Sequence, residues 1–262
     1  MELSKAKKQL KLEFRNDALG HINTLTLQGS SISSIIDNLS SASIKMWSTC
    51  INTLTTTLFN FTRKALQLQL PTLSNLIRWK KATSSNCPLC NQIQSNKHVL
   101  NNCSSSSMLE NYKARHDAIL LILARWLESS LDPSLTLYVD LPDFNQNKTH
   151  EIFNSLRPDI TVLSSSGRVY IWELTICHES NLLKSKNYKL QKYARLKDDL
   201  KPQFSACEVH TIEVSSLGLI NDNGSFTMKT THHLLLVDVS NNITKTIIGR
   251  SYNIYLIRNV IP

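Results

Sequence analysis

The chain has 262 residues, 41% of them hydrophobic and 19% charged. These are the proportions of an ordinary globular protein, and they exclude collagen, a coiled coil and wholesale disorder. The length allows one large domain or two modest ones, and 29 Lys and Arg against 20 Asp and Glu leave a net charge of +9, a surplus whose commonest partner is a phosphate-rich surface.

The N-terminal stretch MELSKAKKQLKLEF is charged and has no apolar h-region, so nothing in it marks the chain for secretion. The first eighty residues read as helices, because Leu25, Ile32, Ile35, Ile36 and Leu39 recur at helical spacing, as do Leu54, Leu58, Phe59 and Leu66. Pro71 stops one helix, and Thr72 is placed to cap a short next one through Trp79. Residues 84–107 are rich in Ser, Asn and Cys and show no apolar periodicity. Helix returns from Met108 to Ser130 with an apolar stripe of Ala118, Ile119, Ile122, Leu123 and Trp126. The longest apolar run, Ala118 to Leu127, is interrupted by Arg125 and is too short to cross a bilayer.

Leu135 to Val139 reads as a strand, followed by a polar loop over 140–157 and strands from Asp159 to Leu163 and Arg168 to Ile176. A basic helix (Leu182 to Leu200) and a strand (Cys207 to Val214) follow. The segment 225–258 reads as two helices divided near Ser240-Asn241-Asn242. This order gives an α/β fold with a mixed sheet covered on both faces.

With no sign of an oxidising compartment, the six cysteines read as thiols or metal ligands. Cys87, Cys90, His98 and Cys103 form a Cys-Cys-His-Cys set with the CxxC turn that aims two sulfurs at one ion, and four protein ligands fit a structural Zn²⁺. The segment has no apparent core of its own, so the metal is expected to supply its folding energy. Four ligands leave no open position for water, and the longer interval from Cys90 to His98 separates this site from the retroviral zinc knuckle.

Ser165-Ser166-Gly167 fits a three-residue hairpin loop with glycine in the left-handed position. Counting back from it pairs Ser164 with Arg168, Leu163 with Val169, Thr161 with Ile171, and Asp159 with Glu173. The two acidic side chains then share one face among apolar neighbours and repel each other unless a cation or a shared proton intervenes. Mg²⁺ is the natural partner for such a pair. The position beside Glu173 on its strand is Thr175, so any lysine for this site comes from the following helix. There Lys186, Lys189 and Tyr193 fall on one side, with Lys192 beside them, and Leu183, Leu190 and Ala194 form the expected packed stripe opposite. The same basic run also reads as a solvated or phosphate-facing surface.

The set Arg157-Pro158-Asp159, Glu173 and a lysine on the next helix resembles the PD-(D/E)xK nuclease superfamily in its variant with a migrated lysine. More narrowly, Leu70-Pro71-Thr72, Asn75-Leu76, Arg78-Trp79, the Cys-Cys-His-Cys set, Arg115-His116-Asp117, Arg157-Pro158-Asp159 and Lys189-x-x-Lys192-Tyr193 resemble the restriction-like endonuclease end of site-specific non-LTR retrotransposons, over about residues 65–200. In those elements a zinc-binding linker joins a reverse transcriptase to an endonuclease that nicks DNA and exposes a 3′ hydroxyl for priming.

The resemblance implies that Asp159 and Glu173 hold Mg²⁺, that Lys189 is catalytic with Lys192 and Tyr193 accessory, and that Asp117 assists the metal through water. Arg115, His116, Arg157, Lys184, Lys186 and Arg195 become candidate DNA contacts. Without the resemblance, Arg115-His116-Asp117 is equally an ordinary polar helix face. It also implies three parts: a helical linker region at 1–83, a zinc-binding segment at 84–107 and a restriction-like endonuclease domain at 108–262. No paired-aspartate polymerase motif is present, so the chain reads as the terminal piece of a larger element, a decayed copy or a host-retained gene.

The expected function is a Mg²⁺-dependent DNA endonuclease. Its expected partners are DNA and RNA or a reverse-transcriptase module, with no membrane, and its expected location is nuclear on the strength of the substrate alone. The alternative is a catalytically inactive, zinc-containing nucleic-acid-binding remnant, and a third reading makes the N-terminal helices a protein-docking surface.

Overall fold

The computed structural model describes residues 2–27, 29–144, 153, 156–200, 203–221 and 237–258, apart from the side chains of residues 2, 195, 197–200, 237 and 238. Its N-terminal part is helical as the periodicity predicts: α1 (Glu2–Thr24), α2 (Ser30–Asn38), α3 (Ser41–Ile51), α4 (Thr56–Leu66) and α5 (Leu73–Arg78). Leu3, Leu10, Leu12 and Phe14 leave α1 open to solvent. Serine and threonine place the next starts: Ser40 Oγ accepts from the Ser43 amide at 3.1 Å, and Thr55 Oγ1 from the Leu58 amide at 3.5 Å. Thr72 occupies the N-cap position of α5, but its side chain makes no cap bond. Gln94, from the cysteine-bearing segment, caps this helix instead: its Oε1 accepts from the Leu73 amide at 3.0 Å and its main-chain oxygen from the Ser74 amide at 3.2 Å.

Helix α6 (Ser106–Ser130) leads into a four-stranded mixed sheet of β1 (Leu135–Val139), β2 (Ile160–Ser164), β3 (Arg168–Cys177) and β4 (Ala206–Ser215), ordered β1-β2-β3-β4. The first two pairings are antiparallel and β3–β4 is parallel, with α7 (Leu182–Leu200) as the crossover. Strand alternation divides the sheet into two faces. Ile160, Val162, Tyr170, Trp172, Leu174, Ile212 and Val214 pack against α6 and α8 (Val237–Ile257). Val169 and Ile171 pack against Tyr193 and Leu196 of α7.

Two expectations change here. Residues 222–236 lie outside the described residues, and from Val237 a single helix runs through Ser240-Asn241-Asn242 without a break. Tertiary contacts hold these poor helix formers: Ser240 and Thr244 are buried, and Thr244 Oγ1 donates to the Gly218 carbonyl at 2.9 Å. Gly218 has φ +80°, and a Cβ there would come within 2.9 Å of Thr244, so the turn that receives α8 requires glycine. Residues 84–107, in turn, do contribute apolar packing, because Val99 and Leu100 join Phe61, Ala65, Leu70, Leu217 and Ile248 in one cluster. No described helix is long and apolar enough to cross a membrane.

Candidate metal centres

The cysteine segment folds as a tight turn, with the Cys87 amide donating to the Gln92 carbonyl and the Asn91 amide to the Cys87 carbonyl at 2.7 and 2.8 Å. A π-helical turn, His98–Asn102, brings the imidazole back to the sulfurs. Cys87 Sγ lies 3.9 Å from Cys103 Sγ, Cys103 Sγ 3.6 Å from Cys90 Sγ, and Cys90 Sγ 3.4 Å from His98 Nε2. All four ligand atoms fall within 4.8 Å of one another. Ligands tetrahedrally arranged at Zn–S distances are roughly 3.8 Å apart, so the donor set fits Zn²⁺. Burial lowers the pKa of His98 and so favours the neutral, ligating imidazole. Cys50, Cys177 and Cys207 stand apart from this cluster, and all six cysteines are unbridged.

The second centre lies at the end of the sheet. Gly167, with φ +76°, closes the hairpin by donating its amide to the Ser164 carbonyl at 2.9 Å. Thr161 pairs with Ile171 and Ile160 with Trp172. One step further, Asp159 Oδ2 accepts from the Leu174 amide at 2.7 Å, which fixes this carboxylate beside Glu173. Glu173 is buried; Lys189 donates to its Oε2 and Tyr193 to its Oε1. Burial raises the Glu173 pKa, and the Asp159 charge raises it further against the pull of Lys189 and Tyr193. Burial and the Glu173 charge likewise raise the Tyr193 phenol, which stays a donor.

His116 comes from α6 to the same place, with Nε2 3.6 Å from Asp159 Oδ1 and Nδ1 3.3 Å from Asp117 Oδ1. Burial opposes its protonation, but the two aspartates outweigh burial and raise its pKa. Asp140, which sequence reasoning missed, is a third carboxylate on this edge. It follows β1 directly, its amide donates to the Asp159 carbonyl at 2.9 Å, and its charge contributes to the shift at Tyr193. Extending the strand pairing one residue past Val139 would have found it.

Of the candidate residues, Asp159, Glu173, Lys189 and Tyr193 are brought together, with His116 and Asp117 adjoining. The ammonium of Lys192 lies 4.9 Å from the Tyr193 ring centre. Lys184 is exposed and lines a cavity beside Lys189. Lys186 acts electrostatically on buried Glu213 of β4.

Two expectations are corrected. Arg115 is 2% exposed, and its guanidinium donates to Ser251 Oγ at 2.9 Å and Asn101 Oδ1 at 3.2 Å. It therefore ties α6 to α8 and to the zinc segment, and cannot meet a phosphate; burial pulls its pKa down to about 10, which leaves it charged at neutral pH. His116 and Arg157 are turned to Asp159 and Asp140, and the Arg157 side chain stays 45% exposed at the rim. Leu183 and Leu190 are exposed, because α7 packs through Leu182, Tyr193 and Leu196 and leaves the supposed apolar stripe in solvent. The side chain of Arg195 lies outside the described residues.

Residues 31–109 match a family described as zinc-binding in reverse transcriptase (zf-RVT). No curated protein matches the chain. Among solved structures, one described as "Structure and function of phenuiviridae cap snatching endonucleases" is similar at 15% identity and a TM-score of 0.35, over 57% of this chain and 65% of that one. This likeness is too slight to carry an argument.

Proposed function

We propose that the protein is a divalent-metal-dependent DNA endonuclease that cuts a phosphodiester bond to leave a 3′ hydroxyl, and that its zinc segment is the structural staple of a reverse-transcriptase-associated region. The observation that carries this reading is the convergence of Asp159, Glu173, Lys189 and Tyr193 at one end of the sheet. Two adjacent carboxylates, one of them buried, form a donor set that suits a hard cation. Asp159 and Glu173 would hold the ion, and Mg²⁺ bound there supplies Lewis-acid stabilisation and an activated water.

The chain's own groups prepare this chemistry. The Leu174 amide and His116 orient Asp159, and Tyr193 holds Glu173 in one rotamer. Lys189 neutralises Glu173 in the resting site and supplies an ammonium that can orient water or stabilise charge developing on phosphorus. Arg157 fixes Asp140 at the rim. The net charge of +9 favours a phosphate-rich partner, and a nuclear location follows from DNA as substrate. The match over residues 31–109 supports a reverse-transcriptase module as the associated partner.

The test is nicking of supercoiled plasmid by zinc-loaded protein with and without Mg²⁺, comparing wild type with Asp159→Ala. The reading expects Mg²⁺-dependent nicks with 3′ hydroxyl ends that extend with a polymerase, and loss of nicking with retained DNA binding in the variant. A folded, zinc-loaded wild type that binds DNA and does not nick it would instead support the catalytically silent remnant.

A further inference from the structure

Helix α7 presents a second face that the carboxylate site does not use. Asn181, just before the helix, and Lys184, Ser185 and Tyr188 recur at intervals of three and four, so they line one side. With Thr175 of β3 and Lys189 they enclose an open cavity of about 340 Å³. Lys189 is the shared wall: its ammonium is engaged with Glu173, and the residue also lines this cavity. The cavity therefore adjoins the carboxylate pair directly.

Its chemistry is mixed in a particular way. Tyr188 is 64% exposed, an unusual exposure for a large ring, and it stands on a helix carrying Lys184, Lys186, Lys189 and Lys192. Aromatic faces among phosphate-binding cations are how proteins hold unpaired nucleotides, because every base offers a π-face. Asn181 accepts a hydrogen bond from Lys97 Nζ at 3.4 Å, which brings a cation from the zinc segment to the same rim. The volume lies at the lower end of small-ligand pockets and suits one nucleotide rather than a duplex.

We propose that this cavity is a subsite for one unpaired nucleotide of a nucleic-acid strand, with Tyr188 stacking on the base and Lys184 meeting its phosphate. Placing that nucleotide next to the cleaved bond rests on the nuclease reading; the stacking does not. A base must leave the duplex to reach such a ring, so the subsite selects frayed, looped or single-stranded positions.

The experiment uses full-length, zinc-loaded protein carrying Asp159→Ala, without Mg²⁺, so that its outcome is independent of cleavage. Oligonucleotides bearing a single 2-aminopurine, as DNA and as RNA, are titrated by fluorescence. Stacking predicts quenching of the probe, lost in Tyr188→Ala with affinity about 5- to 100-fold weaker and restored in Tyr188→Phe. An oligonucleotide abasic at the quenched position should bind equally to the protein that keeps Tyr188 and to the Tyr188→Ala variant. Tyr188 is exposed, so zinc content and melting temperature should not change. Affinity and quenching unchanged in Tyr188→Ala, or a Tyr188→Phe protein as weak as the alanine variant, would overturn the assignment. Equal binding of intact duplex would overturn it as well.

Discussion

The zinc segment and the carboxylate edge are both built from acidic or ionisable groups packed close together, yet they are neutralised differently. The four zinc ligands span residues 87–103 and converge as three sulfurs and one imidazole, all donors to a metal. The carboxylate edge brings its own cation, Lys189, and its own donor, Tyr193, from a helix packed across the sheet. The first centre therefore suits a resident ion that is part of the fold, and on the proposed reading the second takes a guest that must displace or join a resident ammonium. The contrast predicts that zinc loss damages structure, whereas changes at the carboxylate edge damage chemistry and leave the fold standing.

The largest effect should come from Asp159→Ala, which removes one of the two proposed ligands. Loss of several kcal/mol of charge stabilisation corresponds to nicking slower by about 10³-fold or more, measured on supercoiled plasmid, with zinc content unchanged. Lys189→Ala should follow at about 10²–10³-fold, with DNA affinity nearly intact. Cys103→Ala inverts the pattern: zinc stoichiometry by elemental analysis should fall, and the helical signal should melt earlier because Val99, Leu100 and the Gln94 cap of α5 lose their anchor. Arg115→Ala should cost about 2–4 kcal/mol in denaturant unfolding through two lost hydrogen bonds and a cavity, without weakening DNA binding by folded protein.

The smallest effect sharpens the role of a buried carboxylate beyond the candidate site. Burial raises the pKa of Glu213, with a hydrogen bond from Thr211, the Lys186 charge and a hydrogen bond from Asn221 only partly opposing. A carboxyl whose folded pKa is raised adds stability below its unfolded pKa and loses it as pH rises through the folded value. Glu213→Gln should therefore melt a few degrees higher at pH 7.5, and the difference should vanish near pH 4, as differential scanning calorimetry can follow.

How much of this was readable beforehand depended on sequence distance. The zinc ligands and the hairpin are local, so spacing alone carried Cys87 through Cys103, and the Ser165-Ser166-Gly167 turn carried the register that pairs Leu163 with Val169 and Thr161 with Ile171. The bounds of α7 and the side of it bearing Lys189 and Tyr193 also followed from helical period. What periodicity could not supply was direction. It gave Leu183 and Leu190 to the core, when the side of α7 carrying Lys189 together with Leu182, Tyr193 and Leu196 covers the sheet. It left Arg115 free for DNA, although its partners, Asn101 and Ser251, stand 14 residues before it and 136 after. Thr72 lost its capping role to Gln94 for the same reason, and the polar run at Ser240 stayed helical because distant residues bury it.

The most direct test of the carboxylate edge is a crystal of the zinc-loaded protein soaked in Mn²⁺ and measured for anomalous scattering. The account predicts one new peak bound by Asp159 and Glu173, in addition to zinc at the four Cys and His ligands, and its disappearance in Asp159→Ala. A zinc peak with no manganese at the sheet edge, and Glu173 still held by Lys189 and Tyr193 at saturating Mn²⁺, would contradict it.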